Sequence, residues 1–150
     1  MNHINSLFAV AVLVAAPDSA IPAVPVDSLA HATDSATIGQ GAPLSLHASL
    51  MARILTVRMG DSVVATYAVS VGADGHDTPT GTFQIKKLVW NPRWVPPKEP
   101  WARGKTAKEP GDPENPMRTV KIFFREPDYY IHGTPAVESL GEAASKGCLR

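Results

Sequence analysis

Seven of the chain's 14 prolines lie between Asn91 and Pro116. Proline has no N–H to give to a ladder, and its ring collides with the preceding helical turn. Neither an ordinary helix nor a central strand survives that density. The stretch must be a long ordered loop that crosses a sheet or caps a groove. Loops of this length in a compact domain are functional or disordered. Trp90, Trp94 and Trp101 border or occupy this one, and large aromatics in a small domain argue for packing.

On either side of the loop the hydrophobic pattern has period two. Leu55, Val57 and Met59 alternate with Ile54, Thr56 and Arg58, and Gly60-Asp61 marks a turn. Val63, Ala65, Tyr67, Val69 and Val71 then share one face, which predicts a β-hairpin. Thr82 to Val89 predicts a third strand, with Phe83, Ile85 and Val89 facing the same way. Val120 to Phe124 and Tyr129 to Ile131 predict two more, the last leading directly into His132. After Thr134, an N-cap candidate, Pro135 to Leu140 reads as a short helix that Gly141 can stop. The expected fold is mostly β, with short helical pieces near the C-terminal end.

The first 45 residues read differently. Leu7 to Ala16 is an uncharged apolar run, too short to span a bilayer as a helix. It fits the core of a secretory leader, with small residues offering a cut somewhere between positions 16 and 23. Pro17 to Pro43 is rich in Ala, Ser, Asp, Thr and Pro and reads as a flexible tether. The expected organisation is a leader at 1–16, a tether at 17–45 and one folded domain at 46–150. On this reading the protein is exported to the periplasm or cell wall, and no stable membrane insertion remains once the leader is cut. Fourteen basic residues balance 14 acidic ones, and no basic stripe points to nucleic acid or an anionic membrane surface.

The chemistry is concentrated at the end of the chain. Cys148 is the one cysteine, so it forms no disulfide within the chain. A thiol attacks carbonyls as its thiolate, a minor species at neutral pH for an ordinary cysteine. An imidazole can take the proton and return it to a leaving amine. His132 lies far enough upstream for a strand end, a helix and a turn to bring the two together. Lys146 adds a positive charge that would favour the thiolate. Gly147 permits close backbone approach, so the N–H groups of Gly147 and Cys148 are candidate oxyanion donors. Arg150 presents a fork suited to a carboxylate. His76 beside Asp77 reads as a solvated turn. Lys98, Arg103, Lys105 and Lys108 read as charges that solvate the loop. The five histidines and one cysteine lack any zinc-ligand spacing. No metal or organic cofactor is expected.

The C-terminal stretch IHGTPAVESLGEAASKGCLR resembles the L,D-transpeptidase catalytic domain family. That family's signature is a histidine, a spacer and then Ser-His-Gly-Cys, followed by an apolar residue and Arg or Asn. Further blocks stand in the expected order: Thr78-Pro79-Thr80-Gly81-Thr82-Phe83, then Asn91-Pro92 through Trp94-Val95-Pro96-Pro97, then Asn115-Pro116. The resemblance runs from about Arg53 to Arg150. It implies a β-sandwich-like fold with a Pro-rich lid loop over a groove. It also implies a cysteine acyltransferase that cross-links peptidoglycan stem peptides, releasing D-alanine from a tetrapeptide as the acyl-enzyme forms. Cys148 matches the nucleophile and His132 the base, with the Gly133 carbonyl holding the imidazole tautomer. Ser145, Lys146, Arg150 and Thr134 fall at positions expected to meet substrate. An L,D-carboxypeptidase using the same acyl-enzyme, or a catalytically weak peptidoglycan-binding protein, are the alternatives. Two departures stand out. Lys146 replaces the motif's histidine, and family domains continue past the arginine that matches Arg150, so this chain is expected to lack the domain's C-terminal end.

Overall fold

The computed structural model describes residues 11–15 and 42–150. Most of the expected tether, and the expected leader apart from Ala11–Ala15, lie outside the described residues. Among the described residues there are ten strands: β1 Ala11–Ala15, β2 Leu44–Ser49, β3 Ile54–Met59, β4 Ser62–Ala68, β5 Val71–Gly72, β6 Gly81–Gln84, β7 Lys87–Trp90, β8 Val120–Arg125, β9 Tyr129–His132 and β10 Ala143–Ser145. They form a five-stranded sheet ordered β4-β3-β2-β1-β6, a three-stranded sheet β7-β8-β9 and a two-stranded pair β10-β5. Helical structure among the described residues is limited to two single 3-10 turns, Pro100–Ala102 and Val137–Ser139. The mostly β expectation holds.

The predicted hairpin is β3-β4, paired antiparallel with a register shift between Val57 and Arg58. Its second strand is not one continuous buried face. Val63 and Tyr67 are each 55% exposed, whereas Val69 and Val71 are buried. The chain leaves the large sheet after Ala68, and β5 then pairs with β10 instead. Alternation therefore named the strand but not the point where it changes partners. The predicted strand from Thr82 to Val89 is likewise two strands. β6 pairs with β1 in the large sheet, and β7 pairs with β8 in the small one. A break at Ile85-Lys86 hands the chain from one sheet to the other. The predicted helix after Thr134 is only one 3-10 turn, because Leu140 is already extended and Gly141 has φ +83°. Thr134 does not cap it: the N-cap is Ala136 and has no side-chain cap bond, while the Thr134 hydroxyl accepts the Ala136 N–H at 3.1 Å just ahead of the turn. Ala11–Ala15, within the apolar run expected as a leader, lies parallel to β2 and antiparallel to β6.

One core joins the sheets: Leu46, Ala48 and Leu55 from the large sheet, Phe124 and Ile131 from the small one, with Val69, Val71 and Leu149. Phe83 and Phe124 close it with ring centroids 5.4 Å apart. In β8 and β9 the residues facing this core alternate with Lys121, Phe123, Tyr130 and His132, which face the other way. The opposite face of the small sheet is therefore free to floor a groove.

The Pro-rich loop is ordered by polar pins. Trp94 and Lys108 bridge antiparallel, exchanging two backbone bonds at 2.9 Å. Asn115, fully buried, donates to the carbonyls of Pro92 at 2.9 Å and Glu109 at 3.1 Å and accepts the Met117 N–H at 2.9 Å. One side chain thus ties the start, the middle and the exit of the loop, replacing the backbone ladder that proline forbids. Asn115→Ala should lower the unfolding free energy by about 2–4 kcal/mol, since it strands buried carbonyls and an N–H. Urea unfolding measures this, and a loss below about 1 kcal/mol would mean that the loop is held elsewhere.

Candidate active site

Leu149 builds the site by being where it is. Its side chain is fully buried in the core. Its N–H donates to the Tyr130 carbonyl at 3.2 Å, and its carbonyl accepts the His132 N–H at 3.0 Å. On the other side, Arg150 and Ser70 exchange backbone bonds at 3.0 and 3.1 Å. The chain end is therefore a short extended segment, parallel to β9 and bridged at Ile131. With Leu149 and Ile131 turned into the core, alternation sends Cys148 and Arg150 to the face that carries Tyr130 and His132. All four line one groove of about 1310 Å³, with Lys121, Trp94, Trp101, Thr134 and Lys146 also on its walls.

His132 is buried, with Nδ1 2.6 Å from the Gly133 carbonyl and 3.0 Å from the Pro116 carbonyl. Both partners are pure acceptors, so Nδ1 carries the proton and Nε2 presents its lone pair. The Gly133 contact is the one the motif led us to expect. Pro116 is a second holder that the sequence did not reveal, supplied by the loop that Asn115 pins. Burial pushes the His132 pKa down to about 4, against smaller upward contributions from the two carbonyls. The imidazole is therefore neutral at neutral pH.

Cys148 is half-buried, and its Sγ donates to the Asp128 carbonyl at 3.3 Å. No hydrogen bond joins it to His132 among the described residues. Burial pushes the thiol's pKa up, opposed by Tyr130 and by the charges of Lys121 and Arg150. The resting pair is thiol and neutral imidazole, not an ion pair.

The motif around the sulfur is shaped by Gly147, whose φ is +102°. A Cβ there would stand 2.9 Å from the Tyr129 ring and 3.2 Å from the Asp77 carbonyl. Only glycine fits, on both counts. Ser145, buried, donates its hydroxyl to the Cys148 carbonyl at 2.6 Å and accepts the Gly147 N–H at 3.0 Å. Ser145 thus clamps the turn from inside. Of the two oxyanion donors expected, the Gly147 N–H is already engaged. The Cys148 N–H has no partner among the described residues.

Lys146 does not do what its position in the sequence suggested. The unusual φ at Gly147 breaks the alternation that would have put Lys146 on the same side as the sulfur. Its ammonium instead donates to His76 Nε2 at 3.0 Å. His76, read from sequence as a solvated turn, lines the groove rim with it. The cations that act on the sulfur are Lys121 and Arg150. Lys121, missed by the sequence reading, is the cross-strand partner of His132. Arg150 sits in the groove, with one guanidinium nitrogen 3.4 Å from the Ser139 hydroxyl. Among the described residues no three His, Cys, Asp or Glu side chains converge as a metal site. No helix among them is long and apolar enough to cross a membrane.

The profile of the YkuD family, the L,D-transpeptidase catalytic domain, matches residues 45–150. YkuD of Bacillus subtilis (strain 168), itself provisionally named an L,D-transpeptidase, is 30% identical over 108 residues, 72% of this chain and 53% of its own. "Probable L,D-transpeptidase YbiS" of Escherichia coli (strain K12) is 31% identical over 98 residues, 61% of this chain and 32% of its own. The chain thus spans about half or less of the length of these relatives. An L,D-transpeptidase from Mycobacterium tuberculosis H37Rv shares the fold at a TM-score of 0.55 and 17% identity, over 73% of this chain and 48% of that one. L,D-transpeptidase 3 from Mycobacterium tuberculosis, solved with a faropenem-derived adduct, gives a TM-score of 0.56 and 18% identity, over 73% of this chain and 51% of that one.

Two titrations check the site. Alkylation of Cys148 by iodoacetamide should rise with pH through a midpoint above the ordinary thiol range; a midpoint below 7 would reveal a preformed thiolate. An unfolded histidine titrates near 6.5, and folded His132 near 4. Between those values the unfolded chain binds the extra proton, so stability is present above 6.5 and is lost as pH falls towards 4. His132→Asn should remove that part of the acid loss in urea unfolding at pH 7 and 4.5. An unchanged difference between the two pH values would show that His132 is not held neutral.

Proposed function

Because this chain belongs to the L,D-transpeptidase catalytic domain family, we propose that it is a cysteine acyltransferase that acts on peptidoglycan stem peptides. The observation that carries the reading is the shared groove of Cys148 and His132, with the Nε2 lone pair of His132 turned loose by two carbonyls on Nδ1. A cysteine and a base on one wall, both fixed by backbone, meet the first need of acyl transfer, which is geometry.

The thiol leaves the Asp128 carbonyl and attacks the carbonyl after the third residue of a tetrapeptide stem. His132 Nε2 takes the thiol proton as the C–S bond forms. The tetrahedral oxyanion falls to the Cys148 N–H, with Arg150 and Lys121 supplying positive potential in a partly desolvated site. His132 then passes its proton to the amine of D-alanine, the C–N bond breaks, and the thioester remains. An amine from a neighbouring stem attacks that thioester, gives its proton to His132, and the thiol is regenerated. A depressed histidine pKa suits this cycle, since the imidazolium formed in the first half gives its proton up readily. The walls contributed by Trp94 and Trp101 belong to the Pro-rich loop and shield the thioester from water. Ser145 acts by clamping the turn, and Thr134 and Arg150 line the substrate's path.

Export of the chain belongs to the same proposal, since the stems lie outside the cytoplasm. Cutting a leader between positions 16 and 23 would remove β1 and leave β2 and β6 with unpaired facing edges.

The test is an incubation of the chain with a tetrapeptide stem, followed by intact mass and free D-alanine. One acyl group added to Cys148, with an equivalent of D-alanine released, is the expected result. Cys148→Ala should show neither, while binding the stem as tightly as the parent. A folded chain that releases no D-alanine and gains no mass would leave only the binding-protein reading. Free tripeptide without cross-linked product, in the presence of an acceptor amine, would make it a carboxypeptidase.

A further inference from the structure

The groove holds a cation that the mechanism above uses only at a distance. Lys121 is half-buried on β8, directly across the ladder from His132. Opposed residues in such a pair have Cα atoms about 4.5–5.5 Å apart and side chains on the same face. Its ammonium rests 3.9 Å from the centroid of the Tyr130 ring and 5.1 Å from that of Phe123. Among the described residues it makes no ion pair, although five other salt bridges are present. Burial pulls its pKa below the ordinary lysine value, and no carboxylate acts to raise it. An ammonium seated on ring faces without a protein hydrogen-bond partner keeps its N–H donors available to whatever enters the groove it lines.

The chemistry of the leaving group says what that is. For His132 to protonate the departing amine, the amine must lie at Nε2. In a stem that ends in a free D-amino acid, the α-carboxylate is two bonds from that amine. A cation beside the base is therefore beside the carboxylate. We propose that Lys121, seated on Tyr130 and paired across the strand with His132, is the subsite for the terminal carboxylate of the donor stem. This deepens the acyltransferase reading and rests on it. The consequence is selection for stems with a free C-terminal carboxylate at the residue being expelled. A capped or longer stem places an uncharged amide at Lys121.

Arg150 is the competing cation. It flanks His132 from the other side, on the segment that runs parallel to β9, and its charge also lowers the His132 pKa, but its guanidinium already meets the Ser139 hydroxyl. Lys146 is turned to His76 at the rim. Of the two cations that flank His132, Lys121 alone has no hydrogen-bond or ion-pair partner among the described residues.

The experiment compares a tetrapeptide stem with the same stem ending in D-alanine amide. Binding of both is measured first on the full chain carrying Cys148→Ala, by calorimetry, so that the result does not depend on turnover. The acid should bind about tenfold or more tightly than the amide, the scale expected for a charge-assisted bond in a partly desolvated site. Adding Lys121→Met should bring the ratio close to one by weakening the acid alone, and Lys121→Arg should restore part of it. Circular dichroism of each variant excludes loss of fold. An acid-to-amide ratio unchanged in Lys121→Met, or one erased by Arg150→Gln instead, overturns the subsite. The same two stems are then offered to the Cys148 chain. Discrimination in binding without acylation would sink the acyltransferase reading and leave the subsite standing. Acylation with no discrimination would do the reverse.

Discussion

Everything in the groove depends on one buried residue at the end of the chain. Leu149 puts its side chain in the core and its backbone between Tyr130 and His132, so Cys148 and His132 are set by ladder geometry rather than by side-chain reach. A strand register has no intermediate positions. A slip of one residue would turn Cys148 into the core and Leu149 into the groove. Arg150 and Ser70 lock the same segment from the other side, which makes that slip costly. The site's precision is therefore bought with hydrophobic burial away from the chemistry, as sites on rigid elements generally are.

The residues that read well in the sequence were those whose role is local. The period-two runs marked most strands, the glycine before Cys148 marked a place of close backbone approach, and the proline density marked a loop with no ordinary helix or central strand. What could not be read were the exchanges of partner. A period-two pattern does not say where a strand leaves one sheet for another, so Thr82 to Val89 looked like one element when it is two. A short apolar run is equally ambiguous. Ala11–Ala15 has the composition of a leader core and also of a strand paired on both edges, the place it holds between β2 and β6.

The candidate site divides in the same way. Cys148 and His132 were legible because their residue types and the surrounding motif carry the chemistry. Pro116, Tyr130 and Lys121 were not, because they act through a carbonyl, a ring face and a cross-strand position that spacing in sequence does not encode. Lys146 shows the opposite error. Two residues from a cysteine looked like electrostatic proximity, but the left-handed conformation at Gly147 sends the ammonium to His76. Sequence distance is a guide to spatial distance only where the backbone between is regular.

The resting electrostatics follow from burial more than from charge. His132 and Cys148 both lose water, and desolvation favours the neutral form of each, which moves their pKa values apart. A pair arranged this way stores no thiolate that could be oxidised or alkylated while idle. In the mechanism we propose, activation comes with substrate, which fills the groove, draws the sulfur from the Asp128 carbonyl and brings a carbonyl carbon to receive its electrons. The cations are then in the right place for a different task from the one proximity suggests. They do little to ionise a thiol held by the backbone, but in the acyl transfer we propose they face the two points where negative charge resides, the developing oxyanion and the carboxylate of the departing residue. Neutrality at rest and positive potential around the reacting carbonyl are compatible because the first is set by burial of two side chains. The second is set by Lys121 and Arg150, which flank His132 on its two ladders.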